Sequence, residues 1–292
     1  MIMASLCSND NRGRGLRVDD MAHSQRQLFK RRKPQPKLLG VLLCYNDGDL
    51  LAESITYLLE QDHDVIAWDH GSDDSTKEVL HSFRKELIEV KYLPREFDFY
   101  DLYPSMSKNL LDNYVHRYDW ISWPDQDEFL EGPNRTKSYR DWIFELVDSD
   151  YDWVQFHNFN FWWTPDDDPS LERTRERVRH YSLFPDCAPR RRSWRATSTN
   201  ERVFNHNPPL GKGYPEFFNL CHYPMRSEAQ MVRRLIKDRI GLRRGGSNSH
   251  YETMSSREEK LIIKSEQLHL DLGGELRKDV CFKWSELYFE NL

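Results

Sequence analysis

Between residues 37 and 123 the chain alternates short apolar runs with stretches of helical spacing, and this alternation limits the fold more than any other feature. The run 38–44 (LLGVLLC) is apolar throughout and ends in Tyr45-Asn46-Asp47-Gly48, which reads as a buried strand closed by a turn. Leu50, Leu51, Ile55, Leu58 and Leu59 then fall at helical spacing over 49–61. A second strand is expected at 64–69, a helix capped by Ser or Asp from the 71–76 turn to about 85, and a third strand at 88–93. A helix at 104–118 and a fourth strand at 119–123 complete the series. Alternating strands and helices predict an α/β fold, a mostly parallel sheet with helices on both faces. Ligands of such sheets bind beyond the carboxyl ends of the strands.

The rest of the chain is less regular. Helices are expected at 138–148, at 227–240 and near 255–268, and an aromatic strand-like segment at 152–163. Between them lie an acidic, turn-rich stretch at 164–176 and a basic one at 186–195. Residues 1–36 lack periodicity and read as a flexible basic tail, which leaves 37–292 as a single domain. The tail holds +5 of charge, so the remainder carries −11 of the net −6. That acidic balance disfavours a nucleic-acid partner, whose phosphates it would repel. The tail itself suits peripheral contact with an anionic membrane surface. Five widely spaced cysteines without a Cys-x-x-Cys pair point to reduced thiols, hence a cytoplasmic protein. No apolar run reaches the roughly 20 residues that cross a bilayer.

Asp125-Gln126-Asp127-Glu128 directly follows the fourth strand. Two carboxylates at i and i+2, at the carboxyl end of a parallel strand, are hard oxygen donors suited to Mg²⁺ or Mn²⁺, although an acidic surface turn has the same composition. The loops after the first two strands share that sheet edge. Asn46 and Asp69 are therefore candidates to hydrogen-bond a nucleotide base, while capping accounts for Asp74 and Ser75.

At these residues the chain resembles the family 2 glycosyltransferases of the GT-A fold. The first strand followed by Tyr-Asn matches at 38–46. The loop Asp-Asp-Gly-Ser-Thr-Asp-Gly-Thr matches at 69–76, with His70 in place of the second Asp and Asp73 in place of the first Thr. The Asp-x-Asp motif matches Asp125-Gln126-Asp127, and Glu128-Phe129 resembles a subgroup that continues Glu-Phe. The resemblance is good over 37–132 and looser to about 240. It implies a Rossmann-like GT-A domain with a nucleotide-sugar-binding half at 37–132 and an irregular acceptor half at 133–292. It also implies that Cys44, Asn46, Asp69, Asn109 and Asp125 line the donor site. His222, in Leu220-Cys221-His222-Tyr223-Pro224-Met225-Arg226-Ser227, resembles a His-Tyr-Pro-x-Arg-Ser motif. By that resemblance His222 joins Asp125 and Asp127 around Mn²⁺ or Mg²⁺, and Arg226 holds the diphosphate.

The resemblance implies a metal-dependent, inverting transfer of a sugar from a nucleotide donor, a UDP-sugar by preference, to a hydroxyl of a glycan, a lipid-linked molecule or another acceptor. Asp127 is then catalytic through the metal. Inversion also needs a carboxylate base, for which Asp166, Asp167, Asp168, Glu201 and Glu216 are candidates and Glu201 the choice. Arg190, Arg191, Arg192, Arg233, Arg234 and Lys237 either face a phosphorylated acceptor or form solvated surface. The main rival is a nucleotidyltransferase, which would carry a Gly-rich basic loop where this chain has Cys44-Tyr45-Asn46-Asp47. From another class, a catalytically silent carbohydrate-binding protein would bind glycan without nucleotide affinity.

Overall fold

In the computed structural model the described residues are 35–95, 99–184, 190–200, 209–234, 259–261, 263–281 and 289–291. The chain divides into Met1–Gln35 and Pro36–Leu292, and the first unit lies outside the described residues except for Gln35. The expected alternation is present as β1 (Leu38–Cys44), α1 (Gly48–Glu60), β2 (His63–Asp69), α2 (Thr76–Ser82), β3 (Leu87–Tyr92), α3 (Phe99–Asn113) and β4 (Trp120–Ser122). α3 starts a turn before Pro104 and carries the proline inside it.

β1 is buried along its whole length, as a central strand covered on both faces must be. Leu39, Val41 and Leu43 pack with Leu102, Tyr103, Met106 and Leu110 of α3. Leu42 and Cys44 point the other way, into Leu50, Leu51, Ile55 and Leu58 of α1 and Leu80 of α2. The two faces therefore carry helices, as expected.

β1 pairs in parallel with β2 and β4, and β2 with β3. The expectation of an irregular second half is corrected here. It supplies β5 (Glu128–Glu131), α4 (Tyr139–Val147), β6 (Trp153–Trp162), α5 (Thr174–Arg177), β7 (His180–Leu183), β8 (Arg190–Arg195), β9 (Phe218–Met225) and α6 (Glu228–Arg233). With β11 (His269–Leu270), five of these strands extend the same sheet, in the order β11-β7-β6-β8-β4-β1-β2-β3, with β9 on β6 and β5 on β9. The basic stretch 190–195 is thus an interior strand, antiparallel to β4 and β6. The helix expected near 255–268 is also corrected: its described part is strand β10 (Glu259–Leu261), paired with β12 (Phe289–Asn291), and a 3₁₀ turn at Ser265–Gln267. Leu261-Ile262-Ile263 is partly β-branched and prefers extended backbone.

Because β6 is antiparallel to β8, and β8 to β4, β6 runs parallel to β4, and β9 runs parallel to β6. The carboxyl ends of β1, β2, β4, β6 and β9 consequently face one edge. The aromatic segment fills the core rather than a groove: Phe156, Phe159, Phe161 and Trp162 are all buried.

A buried polar chain ties β2 to β4, β8 and α4. His63 Nε2 lies 3.0 Å from Ser122 Oγ, Tyr139 Oη 2.9 Å from Ser122 Oγ, and Tyr139 donates to Ser193 Oγ at 2.5 Å. Burial lowers the His63 pKa to about 4, against backbone hydrogen bonds that raise it. The unfolded chain, with a His near 6.5, takes up the proton first, so this contribution is complete above pH 6.5 and is lost as pH falls toward 4. Acidification from pH 7 to 4 is expected to remove about 3 kcal/mol through this residue alone. Urea midpoints of the chain and of His63→Gln at both pH values check it, and equal acid losses in the two would refute it.

Candidate active site

The loops after β1 and β2 are bound to each other. Asn46 sits at φ +54°, a left-handed conformation that Asn tolerates. Its backbone N–H donates to Ser72 Oγ at 3.0 Å, and its side-chain oxygen accepts the Asp73 N–H at 2.9 Å. Asp69 is fully buried, and both its oxygens accept the Ser72 N–H, at 3.2 and 3.3 Å. Gly48 N–H donates to Asp74 Oδ2 at 3.0 Å. A Cβ at Gly48 would stand 2.7 Å from Thr76 N, so only glycine lets these loops close. Asn46 and Asp69 thus reach the expected edge, where the Asn46 side chain joins loop to loop and Asp69 closes its own turn.

The carboxylate turn after β4 is anchored on the same edge. Gln126 donates its side-chain amide to Asp47 Oδ2, and its carbonyl accepts from Ser54 of α1. Glu128 Oε2 accepts the Asp125 N–H at 2.9 Å, which closes the turn. Register places Glu128 opposite His222 on β9. Asp127 Oδ2 lies 3.4 Å from His222 Nε2, while His222 Nδ1 lies 2.8 Å from Asn160 Oδ1.

Arginines meet these carboxylates from two directions. Arg192 of β8 is fully buried; its Nη2 reaches Asp125 Oδ2 at 2.5 Å and Glu128 Oε1 at 2.7 Å, and Arg190 pairs with the same Glu128 oxygen. The expectation that Arg190 and Arg192 are surface or acceptor-facing is corrected, because three adjacent carboxylates under a sheet need buried cations. From the other side, Arg233 pairs with Asp73 at 2.6 Å and Arg234 with Asp127 Oδ2 at 2.8 Å. Burial pushes Asp127 up, yet His222 and Arg234 outweigh it and hold the carboxyl well below the usual range. Burial raises Asp125, with Arg192 opposing it only in part. Glu128 is lowered, because Arg192 and Arg190 overcome its burial.

Arg226 is placed otherwise than its motif suggested. It is fully buried, with Nη2 on Asp47 Oδ1 at 2.6 Å and on Asp49 Oδ1 at 2.7 Å, Nε on Asp49 Oδ2 at 3.0 Å and Nη1 on the Tyr223 carbonyl at 3.1 Å. This fork holds the loop after β1 rather than facing a diphosphate. The Cys44 thiol is buried at the end of β1, and burial, then Asp69 and Asp47, push its pKa well up. Asn109 sits back from the edge: it bonds Glu89 and Lys91 at 3.2 Å each, and Glu89 pairs with Ile66, three residues before Asp69. Glu201 lies outside the described residues. Of the other base candidates, Glu216, Asp166 and Asp168 are exposed. Asp167 is partly buried, bonded to the Thr164 N–H at 2.9 Å and 3.4 Å from His180 Nδ1. Sequence reasoning gave Asp47 no role and named Arg192 and Arg234 without their carboxylate partners, for which the signal was three clustered carboxylates without visible counter-charge.

The expected metal ligands are a chemically suitable set, two carboxylates and an imidazole whose far nitrogen is already engaged. As arranged they do not meet at one point, since Asp125 is held by Arg192 and Asp127 by Arg234. Among the described residues no three His, Cys, Asp or Glu side chains converge to hold a metal ion.

A mixed sheet whose parallel part carries three loops joined at its carboxyl edge is the α/β arrangement in which ligands bind beyond the carboxyl ends of the strands. Residues 41–132 match the family model described as glycosyl transferase family 2, which bears out the recognition over that stretch, less than half of the chain. Among solved structures, S. aureus TarS is similar at a TM-score of 0.36 and 11% identity, covering 70% of this chain and 41% of that one. TarS 1–349 is similar at 0.38 and 11%, covering 75% and 69%, and TarS 1–349 in complex with UDP at 0.36 and 11% with the same coverage. The chain thus spans well under half the length of the TarS chain. No curated protein matches the sequence. Among the described residues, no helix is long and apolar enough to cross a membrane.

Proposed function

We propose that the chain is a glycosyltransferase that moves a sugar from a nucleotide donor, a UDP-sugar by preference, to a hydroxyl acceptor with inversion. One observation carries this reading. The three loops bound together at the sheet edge, after β1, β2 and β4, all fall within the 41–132 segment that matches the family. In the reaction the acceptor oxygen bonds to the anomeric carbon, the bond from that carbon to the diphosphate breaks, and the hydroxyl proton passes to a carboxylate, for which Glu201 is our choice. Charge on the departing diphosphate is stabilised by preorganised cations at the edge. In this chain Arg234 and Arg190 supply positive charge beside Asp127 and Glu128. Arg226 acts at one remove, by fixing Asp47 and through it the loop that Gln126 bonds. Mn²⁺ or Mg²⁺ at Asp125, Asp127 and His222 belongs to this proposal as an added cation that has to displace existing ion pairs. So do a glycan or lipid-linked acceptor, contact of residues 1–36 with a membrane surface, and a cytoplasmic site of action.

A thermal-shift panel of UDP-, GDP-, CMP- and dTDP-sugars, each with Mn²⁺ and with EDTA, tests the reading. At 100 times its dissociation constant the true donor should stabilise the fold by about 2.7 kcal/mol. No stabilisation by any nucleotide under either condition would refute the enzyme reading.

A further inference from the structure

Arg234 comes directly after α6, whose first turn is fixed by Ser227 Oγ accepting the Gln230 N–H at 3.1 Å. Its Nη1 donates to Asp127 Oδ2 at 2.8 Å and to the Pro224 carbonyl at 3.1 Å, and lies 3.9 Å from Asp47 Oδ1. The imidazole of His222 faces the same Asp127 oxygen from 3.4 Å. Asp127 is 2% exposed and Arg234 8% exposed, so the contact is shielded from water. A positive group therefore already sits on Asp127 Oδ2, the oxygen that His222 faces, with Asp47 3.9 Å from the same guanidinium nitrogen. A metal held by Asp127 would have to share the carboxylate with that guanidinium, two like charges in a poorly screened place.

We propose that Arg234 and a divalent cation compete for one seat at Asp127, and that the guanidinium fills it when no metal is bound. The proposal rests on the donor-site reading above for the seat's purpose, but metal binding itself is measured without nucleotide. On this view the chain meets a diphosphate with its own cation in place, and a metal enters only as Arg234 leaves.

The test titrates Mn²⁺ into the full chain after EDTA treatment and follows free Mn²⁺ by electron paramagnetic resonance. Arg234→Gln should bind Mn²⁺ at least about tenfold more tightly than the unaltered chain, because a competing charge is gone. Adding Asp127→Asn to that variant should abolish the gain. Guanidinium ion at about 20 mM should weaken binding to Arg234→Gln by refilling the seat, an effect that a merely structural arginine would not show. Arg234→Lys, whose point charge fits the seat less well, should fall between, and it carries the test if Arg234→Gln shows no melting transition. Equal or weaker Mn²⁺ binding by the folded variant overturns the proposal. If Mn²⁺ binding tightens as expected while no nucleotide in the panel stabilises the chain, the donor reading fails and this one stands. If nucleotides bind and Mn²⁺ affinity is unchanged, only this one fails.

Discussion

Asp127→Asn is expected to lower kcat/KM for sugar transfer by at least about 100-fold while the chain stays folded, a cost of the size seen when one electrostatic contact to a transition state is removed. The amide keeps the shape of the carboxylate and can still accept from Arg234. It loses the charge that His222 and Arg234 now face at 3.4 and 2.8 Å. Near-ambient circular dichroism and a thermal melt establish folding, and donor hydrolysis with water as acceptor reads the chemistry apart from acceptor binding. A folded variant with ordinary turnover would remove Asp127 from the catalytic machinery.

Arg226→Ala should cost about 3–5 kcal/mol of stability, because it strands a buried carboxylate rather than deleting a surface pair. Asp47 is 6% exposed and, after losing a 2.6 Å contact to the guanidinium, would keep the Gln126 amide and a 3.9 Å approach of Arg234. For a domain of this size the melting temperature should fall on the order of 10 °C. Pairing Arg226→Met with Asp47→Asn should restore part of the loss, since replacing both ends of a buried ion pair is far milder than removing one. A single variant that melts within a degree or two of the unaltered chain would mean the loop after β1 does not depend on this fork.

The first half of the fold was legible because its strands are central and its helices amphipathic. Leu38–Cys44 needs burial on two faces, and only a covered parallel strand provides it. The carboxylate turn was legible as well, since position after β4 gives Asp125 and Asp127 a direction that composition alone does not. β8 was not legible: Arg190-Arg191-Arg192 reads as surface by every local criterion, and its burial makes sense only beside Asp125 and Glu128 from 62 or more residues earlier. Asn109 and Arg226 show the opposite failure, in which a motif position was found but its partners were not. Glu89 and Lys91 hold the one, Asp47 and Asp49 the other. Those contacts join segments as much as 179 residues apart, beyond the reach of local pattern.

The late arrival of the arginines has a consequence for synthesis. Asp127 and Arg234 are separated by 107 residues, so at ordinary elongation rates the carboxylate leaves the ribosome roughly 5 to 20 seconds before its counter-ion. For the first part of that interval, until Arg190 and Arg192 emerge, Asp47, Asp125, Asp127 and Glu128 form an uncompensated anionic patch at the end of a sheet whose β4 edge still lacks β8. A nascent chain in that state repels itself where it should close, and it offers an open strand to neighbours. The 37–132 segment is thus not a unit of folding on its own. Excised at the 132 boundary it would be a poor soluble fragment, and a ribosome stalled between Arg192 and Arg234 would hold a domain locked at one turn and unlocked at the other.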